Sequence, residues 1–187
     1  KKYLVVGNPI EHSLSPKLHN FWINDNNLDA IYEKKKIEEN EISSLILEVK
    51  KRNIHGINVT VPFKRTVIPH LDHLSSEAEK TQSVNTIYLN NNKIIGHNTD
   101  IEGFERSMEV SKVKTKDKKV LILGAGGVVP SLIFALNKMG VSEIIISNRT
   151  KSKAENLKNL FKSLKIIDWG EVPEFDIIIN ATSIGLK

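Results

Sequence analysis

Short apolar runs and helical repeats alternate from the first residues onward. Tyr3–Val6, closed by Gly7, has the length and composition of a buried strand. Asn8–Pro16 is rich in turn formers. Ser15 followed by Pro16 predicts an N-cap and a first helical residue for a helix running through Leu18, Phe21 and Trp22. Ala30–Lys36 is strand-like, and Ile42, Leu45, Ile46 and Val49 repeat at helical spacing within Glu41–Arg52. Ile57, Val59 and Val61 then alternate with Asn58 and Thr60, the period of a strand with one apolar and one polar face. Pro62 cannot donate to a ladder, so it ends that strand, and its fixed φ suits the first turn of a helix. A short helix is predicted from Glu77. Thr86–Leu89 and Lys93–Gly96 flank Asn90-Asn91-Asn92 as a hairpin with a polar tip, and Asn98-Thr99-Asp100 leads into a helix through Ile101, Phe104 and Met108.

Val113–Lys118 is polar, charged and aperiodic, which places a domain boundary close to it. Beyond it the strands become fully apolar. Val120–Leu123 meets Gly124-Ala125-Gly126-Gly127, an apolar helix runs to Met139, and Glu143–Ser147 is a second buried strand ending at Asn148-Arg149-Thr150. Lys153–Leu164 reads as helix, Ile166-Ile167 as a short strand and Asp176–Asn180 as another buried strand. Strands alternating with helices predict an α/β fold with a parallel, doubly wound sheet in this half.

Composition narrows the picture. With 187 residues and 40% hydrophobic content the chain can bury a core in one or two domains. The formal charge of +5 raises nucleic acid as a partner, but 27 basic residues are dispersed among 22 acidic ones. The densest runs, Lys34-Lys35-Lys36 and Lys112–Lys119, lack interleaved aromatic residues, so a solvated lysine-rich surface is the better reading. Such a balance favours anionic metabolites. The absence of cysteine excludes disulfides and thiolate metal sites. No run approaches a membrane span and no signal-type segment opens the chain, so the expectation is a cytoplasmic protein whose N-terminus lies a little upstream of Lys1. His70 and His73 flank Asp72 without a third ligand at metal spacing, and no metal is expected.

The glycine turn carries the first candidate chemistry. Gly124 permits a tight turn after a strand, Gly126 lets backbone approach a pyrophosphate, and the following helix offers free N–H groups at its positive end. The match to G-x-G-x-x-G is imperfect, because Val129 holds the third position. At the end of the next strand a dinucleotide site for NAD carries an acid for the ribose hydroxyl. This chain has Asn148-Arg149-Thr150, then Lys151 and Lys153. An arginine fork suits a 2′-phosphate and an acid would repel it, so NADP is the expected cofactor.

Lys64 sits just past a strand's carboxyl end, where open α/β sheets place ligand chemistry. Taken alone it is equally a solubilising charge. The order of short motifs decides between these. Ser13-Leu14-Ser15-Pro16-Lys17-Leu18-His19-Asn20, Asn58–Lys64, Val84-Asn85-Thr86, Asn98-Thr99-Asp100, Gly124–Gly127, Asn148-Arg149-Thr150 and Asn180-Ala181-Thr182-Ser183 follow one another along the whole chain. In this order they resemble the shikimate dehydrogenase family of NADP-dependent oxidoreductases in aromatic amino-acid (chorismate) biosynthesis.

The resemblance implies an N-terminal α/β substrate domain, residues 1–102, a Rossmann-like NADP domain, residues 103–187, and a cleft between them. It implies that Ser13 and Ser15 hold the shikimate carboxylate, and that Thr60, Asn85 and Asp100 bind ring hydroxyls, with Asn58 in support of Thr60. Ser15 doubles as an N-cap, whereas Ser13 has no evident structural duty. Read without the resemblance, Asn85 is a turn residue and Asp100 a helix cap. Lys64 and Asp100 match the catalytic pair: hydride transfer from a carbon bearing a hydroxyl needs a partner for the hydroxyl proton, and a lysine serves if its pKa is lowered. Gly124, Ala125, Gly126, Gly127 and Val128 match the cofactor's glycine loop, and Asn148, Arg149, Thr150 and Lys153 its adenosine-phosphate loop. Thr182, within Asn180–Ser183, falls on the nicotinamide side. Lys153 stands where arginine is common, which keeps the charge and loses the fork.

Gln82-Ser83 replaces a common glycine-alanine pair, and the family continues past Lys187 through further strands and a helix carrying a substrate-contacting glutamine. The implied reaction is reversible reduction of 3-dehydroshikimate by NADPH. A quinate/shikimate dehydrogenase using NAD, a methylenetetrahydrofolate dehydrogenase (which would not need the Ser13/Ser15 pair) and a non-catalytic shikimate-binding fragment remain as alternatives. A homodimer stays open as the assembly. No nucleic-acid or membrane partner is expected.

Overall fold

The structure is a computed structural model that describes residues 1–185; the last two positions of the predicted second domain, Leu186 and Lys187, lie outside the described residues. The chain divides into two compact units, Lys1–Thr99 and Asp100–Lys187.

The first unit is built on a six-stranded sheet. Its elements are β1 (Lys2–Gly7), α1 (Ser15–Asp25), β2 (Ile31–Lys36), α2 (Ile42–Lys50), β3 (Gly56–Val59), β4 (His73–Leu74), α3 (Ser76–Thr81), β5 (Thr86–Asn90) and β6 (Lys93–His97). The strand order is β2-β1-β3-β5-β6-β4. β1 pairs in parallel with both β2 and β3, whereas β5 and β6 pair antiparallel as the predicted hairpin. Asn91 and Asn92 close that hairpin at φ +48° and +61°, the twist that a two-residue turn needs and that asparagine tolerates. The helical repeat of α2 places Ile42, Leu45, Ile46 and Val49 in a core with Leu4, Val6, Ile57, Val59 and Ile87. α3 is capped by Ser75, whose hydroxyl accepts the Ala78 N–H at 3.2 Å, and ends on Gln82 in the left-handed region.

The second unit contains α4 (Asp100–Val110), β7 (Lys119–Leu123), α5 (Val129–Lys138), β8 (Glu143–Ser147), α6 (Lys151–Leu157), β9 (Lys165–Ile167) and β10 (Ile177–Asn180). Its strands form an all-parallel sheet in the order β10-β7-β8-β9, the doubly wound arrangement expected for this half. The order reverses between β7 and β10, and such a switch point opens a crevice beyond the strands' carboxyl ends. Val120, Ile122, Ile144 and Ile146 face Val129, Ile133 and Leu136 in one core. The polar segment 113–118 belongs to this unit: the Asp117 N–H donates to Gly140 O at 2.8 Å and the Ser142 N–H to Lys118 O at 2.9 Å. Among the described residues no helix is long and apolar enough to cross a membrane.

Several local expectations are corrected. The strand read through Val61 ends at Val59, and Val61 is 58% exposed. No helix follows Pro62; residues 61–67 form successive turns and Ile68–His70 a single 3-10 turn. The Lys64 carbonyl, which a helix would need, accepts the Val84 N–H at 2.8 Å instead, while Phe63 and Val67 sink into the core. α1 forms as expected, but Leu18, Phe21 and Trp22 are largely exposed and Ile23 is its buried residue. The helix read to Leu164 closes at Leu157. β10 is half-buried rather than buried, because it lies at the end of the strand order among the described residues.

Candidate functional site

In the first unit the candidate residues leave the carboxyl ends of β1 and β3, which lie side by side. The Thr60 N–H donates to Val6 O and the Asn8 N–H to Val61 O, each at 2.9 Å, so the two departing loops are tied together at their start. Gly7 makes this approach possible, since a Cβ there would stand 2.5 Å from Thr60 Cγ2 and 2.9 Å from Val61 O. Ser13 and Ser15 follow on the first loop. α1 opens at Ser15, with Leu14 in the cap position and Pro16 in the first turn, so the predicted Ser15 cap is displaced by one residue. Ser13 does have a structural duty: its hydroxyl accepts the Ser15 N–H at 3.3 Å. That bond draws both serines to one helix end, where free N–H groups and the helix dipole favour an anion.

Thr60 and Lys64, both half-buried, lie on the second loop, with Lys64 fixed by its carbonyl and by the buried Phe63 and Val67 on either side. Asn85 is not a turn residue. It is 8% exposed just ahead of β5, and its carbonyl accepts the Val59 N–H at 2.8 Å. Its Oδ1 accepts the Thr99 N–H at 3.0 Å and the Thr86 hydroxyl at 3.0 Å, and its Nδ2 donates to Thr99 Oγ1 at 2.9 Å. Asp100, half-buried, is the first residue of α4 and so of the second unit; it stands within the helix rather than ahead of it.

Asn58 extends this polar network in a direction the sequence does not reveal. Its Nδ2 donates to Thr86 Oγ1 at 3.0 Å, and its Oδ1 accepts the Tyr32 hydroxyl at 2.7 Å. Tyr32 is 4% exposed, clamped at its backbone by the Asn20 amide (2.8 and 2.9 Å) and stacked on His19 with ring centroids 4.0 Å apart. Burial pushes its phenol up to about 12 from the ordinary 10.0. The two histidines that flank Asp72 have local partners: His70 Nδ1 lies 3.0 Å from Ser43 Oγ and His73 Nε2 lies 2.8 Å from Lys93 Nζ, while Asp72 accepts the Ile94 N–H.

In the second unit the crevice at the switch point is a pocket of ≈ 280 Å³. Gly124, Ala125 and Gly126 form its floor, Asn148, Arg149, Thr150 and Lys153 one wall, and Ala181–Ile184 another, with Trp169 at the edge. The two glycines differ. Gly124 has φ +109°, and a Cβ there would meet Ala181 O at 2.8 Å. At Gly126 a Cβ would have only Ala181 O, at 3.9 Å, so packing within the chain does not require glycine there. A ligand backed against that loop would. Gly127 and Val128 complete the turn into α5, whose N-terminus has no side-chain cap. Val129 is fully buried, filling core volume where a glycine would bring helix and strand closer. Thr182 is held by the Asn180 side chain, which accepts its N–H at 3.0 Å and its hydroxyl at 2.7 Å.

The charges on the pocket wall are also unequal. Lys151 is paired with Asp168 at 2.6 Å, and that hydrogen bond raises its pKa. Arg149 and Lys153 have no ion-pair partner among the described residues, and no acidic residue lines the pocket. Cations without an ion-pair partner among the described residues, a glycine-rich loop and a helix end without a side-chain cap fit a phosphorylated dinucleotide.

Comparison with known proteins agrees with this geometry. Residues 5–87 match the family model for the shikimate dehydrogenase substrate binding domain, and residues 107–185 match the model for shikimate / quinate 5-dehydrogenase. The chain belongs to the shikimate dehydrogenase family. It is 59% identical over its whole length to the shikimate dehydrogenase (NADP(+)) of Pelagibacter ubique, covering 71% of that protein. The crystal structure of shikimate dehydrogenase from Aquifex aeolicus superposes on the entire chain with a TM-score of 0.91 at 38% identity, and the chain covers 70% of it. That of shikimate 5-dehydrogenase from Thermus thermophilus in complex with NADP(H) and shikimate gives 0.89 at 33% identity, over 99% of this chain and 69% of that one. The family's α/β architecture, with a substrate domain and a Rossmann-like domain, is thus the fold of this chain.

Two outcomes follow from this geometry. Gly124→Ala should lower stability by roughly 1–3 kcal/mol in urea denaturation through left-handed strain and the Ala181 clash, whereas Gly126→Ala should leave it nearly unchanged. A neutral phenol favoured by the fold contributes stability that is complete below about pH 10 and is lost as pH rises through about 12. Ultraviolet titration of Tyr32→Phe should therefore lack the late tyrosine ionisation near pH 12 seen in the parent chain.

Proposed function

We propose that this chain catalyses the reversible, NADPH-dependent reduction of 3-dehydroshikimate to shikimate. One observation carries the reading beyond family membership: the pocket at the switch point presents Arg149 and Lys153 without acidic partners among the described residues, beside the unobstructed Gly126 loop. A 2′-phosphate is matched by such cations, whereas the 2′-hydroxyl of NAD is matched by an acid at the same place.

Each side chain has a role its chemistry suits. Ser13 and Ser15, at the start of α1, are proposed to bind the substrate carboxylate. Thr60 and Asn85 are proposed to hold ring hydroxyls; the hydrogen-bonded Asn85 amide is already oriented, so little is lost in ordering it on binding. Gly124–Val128 would hold the pyrophosphate, Asn148, Arg149, Thr150 and Lys153 the adenosine phosphate, and Thr182 the nicotinamide side. When bound, NADPH supplies the hydride. Lys64 is proposed to give a proton to the carbonyl oxygen in reduction and to take it back in oxidation, with Asp100 holding the same hydroxyl and orienting the amine. Residues 1–102 and 103–187 are proposed as the substrate and cofactor domains. The pathway role in chorismate formation and a cytoplasmic location belong to the same proposal.

Steady-state rates with shikimate and quinate, each with NADP and NAD, test the reading directly. Turnover confined to quinate with NAD would replace it with the quinate alternative, and shikimate binding without turnover would leave a binding protein. Lys64→Ala should lower turnover by roughly 10²–10⁴-fold while calorimetry still registers shikimate binding. Near-normal turnover would remove Lys64 from the chemistry. Arg149→Ala should weaken NADP by about 10–100-fold and NAD far less, and equal losses would refute its assignment to the 2′-phosphate.

A further inference from the structure

Trp169 follows β9 and lines the same pocket as Arg149, Thr150 and Lys153. Trp169 is 46% exposed, so an indole face is open on the pocket's edge. It is not left there by a loose loop. Its neighbour Asp168 is fixed from several sides: its carbonyl accepts the Ser147 hydroxyl at 3.1 Å and the Glu171 N–H at 3.2 Å, its N–H donates to Glu171 Oε2 at 3.1 Å, and its carboxylate takes Lys151 at 2.6 Å. Ser147 and Lys151 bracket the Asn148-Arg149-Thr150 turn, so the backbone that carries the indole is tied to the segment that carries Arg149. Among the described residues it has no ring partner.

Position in the sheet says which part of a dinucleotide would meet it. The strand order is β10-β7-β8-β9. The glycine loop leaves β7 and Ala181–Ile184 leave β10, whereas Arg149 leaves β8 and Trp169 leaves β9, farthest from the switch point. A planar apolar face beside phosphate-binding cations, at the end away from the glycine loop, fits a purine attached to a phosphorylated ribose.

We propose that Trp169 is the stacking platform for the adenine of the bound nucleotide, held in place by the Asp168–Lys151 pair, and that it sets a large part of the cofactor's affinity. This rests on the NADP reading given above. Each base stacked on an aromatic side chain contributes about 1–3 kcal/mol, or roughly 5–150-fold in affinity.

The chain has two tryptophans, so Trp22→Phe leaves Trp169 as the sole indole emitter. Adenosine 2′,5′-bisphosphate titrated into this variant should quench Trp169 emission along the same isotherm that calorimetry gives, whereas nicotinamide mononucleotide should leave emission unchanged. Trp169→Ala should weaken the bisphosphate about tenfold, and Trp169→Phe, which keeps a ring, by no more than about twofold. Binding heat with unaltered emission, or equal affinity in the alanine variant, would overturn the platform while leaving Arg149 and Lys153 as phosphate ligands. No binding heat in the parent chain would overturn the NADP reading and the platform with it.

Discussion

Where two parallel strands end side by side, the loops that leave them compete for the same space. In the second unit β7 and β10 are in register to Leu123 and Asn180, and the next residues on each, Gly124 and Ala181, come so close that a Cβ on Gly124 would stand 2.8 Å from Ala181 O. The missing side chain lets β7 turn at once into the loop that floors the pocket. The first unit meets the same constraint at β1 and β3, where Gly7 yields to Thr60. In both, a close backbone approach at the strands' carboxyl ends determines which side chains can face a ligand. Gly126 is different in kind, because nothing in the fold demands it.

Electrostatics then divides the basic residues into those already engaged and those available. Lys151 is held by Asp168 and serves the architecture, whereas Arg149 and Lys153, two positions to either side, have no such partner among the described residues. A count of positive charges in the sequence cannot make that distinction. Pairing fixes the loop, and the remaining cations leave the pocket wall positively charged. The Asn58–Thr86–Asn85–Thr99 network plays the corresponding part in the first unit, where neutral amides and hydroxyls hold one another in fixed orientations.

The alternation of apolar runs made the parallel sheet, the hairpin and α2 legible, because burial imposes periods that survive in any surroundings. Motif order made the family legible. What escaped depended on partners distant in sequence. Lys64 lies in turns, not a helix, because Val84 claims its carbonyl, 20 residues away. Tyr32 looked like one position in a charged strand, and its bond to Asn58 could be seen only once β1 had brought β2 and β3 to either side of it. Ser13 looked free of structural duty because a bond to the second residue onward leaves no periodic trace. Gln82, standing where the family commonly has glycine, adopts φ +49°, so the departure from pattern is a backbone angle tolerated by a side chain.

The lysine run 34–36 takes on a second meaning from its place in the sheet. Among the described residues β2 is an outermost strand, with one side paired to β1 and no strand on the other, where the Asn20 side chain engages the Tyr32 backbone. Such a ribbon is a template for self-association, and consecutive exposed ammonium groups along it repel an incoming copy before its backbone can pair. Charge that in the sequence suggested a partner thus serves to refuse one. Modifications that neutralise these lysines would strip this guard from the sheet, and would also loosen Lys34 from the Glu11 carbonyl and Lys36 from the Glu11 carboxylate, on the loop that leads to Ser13.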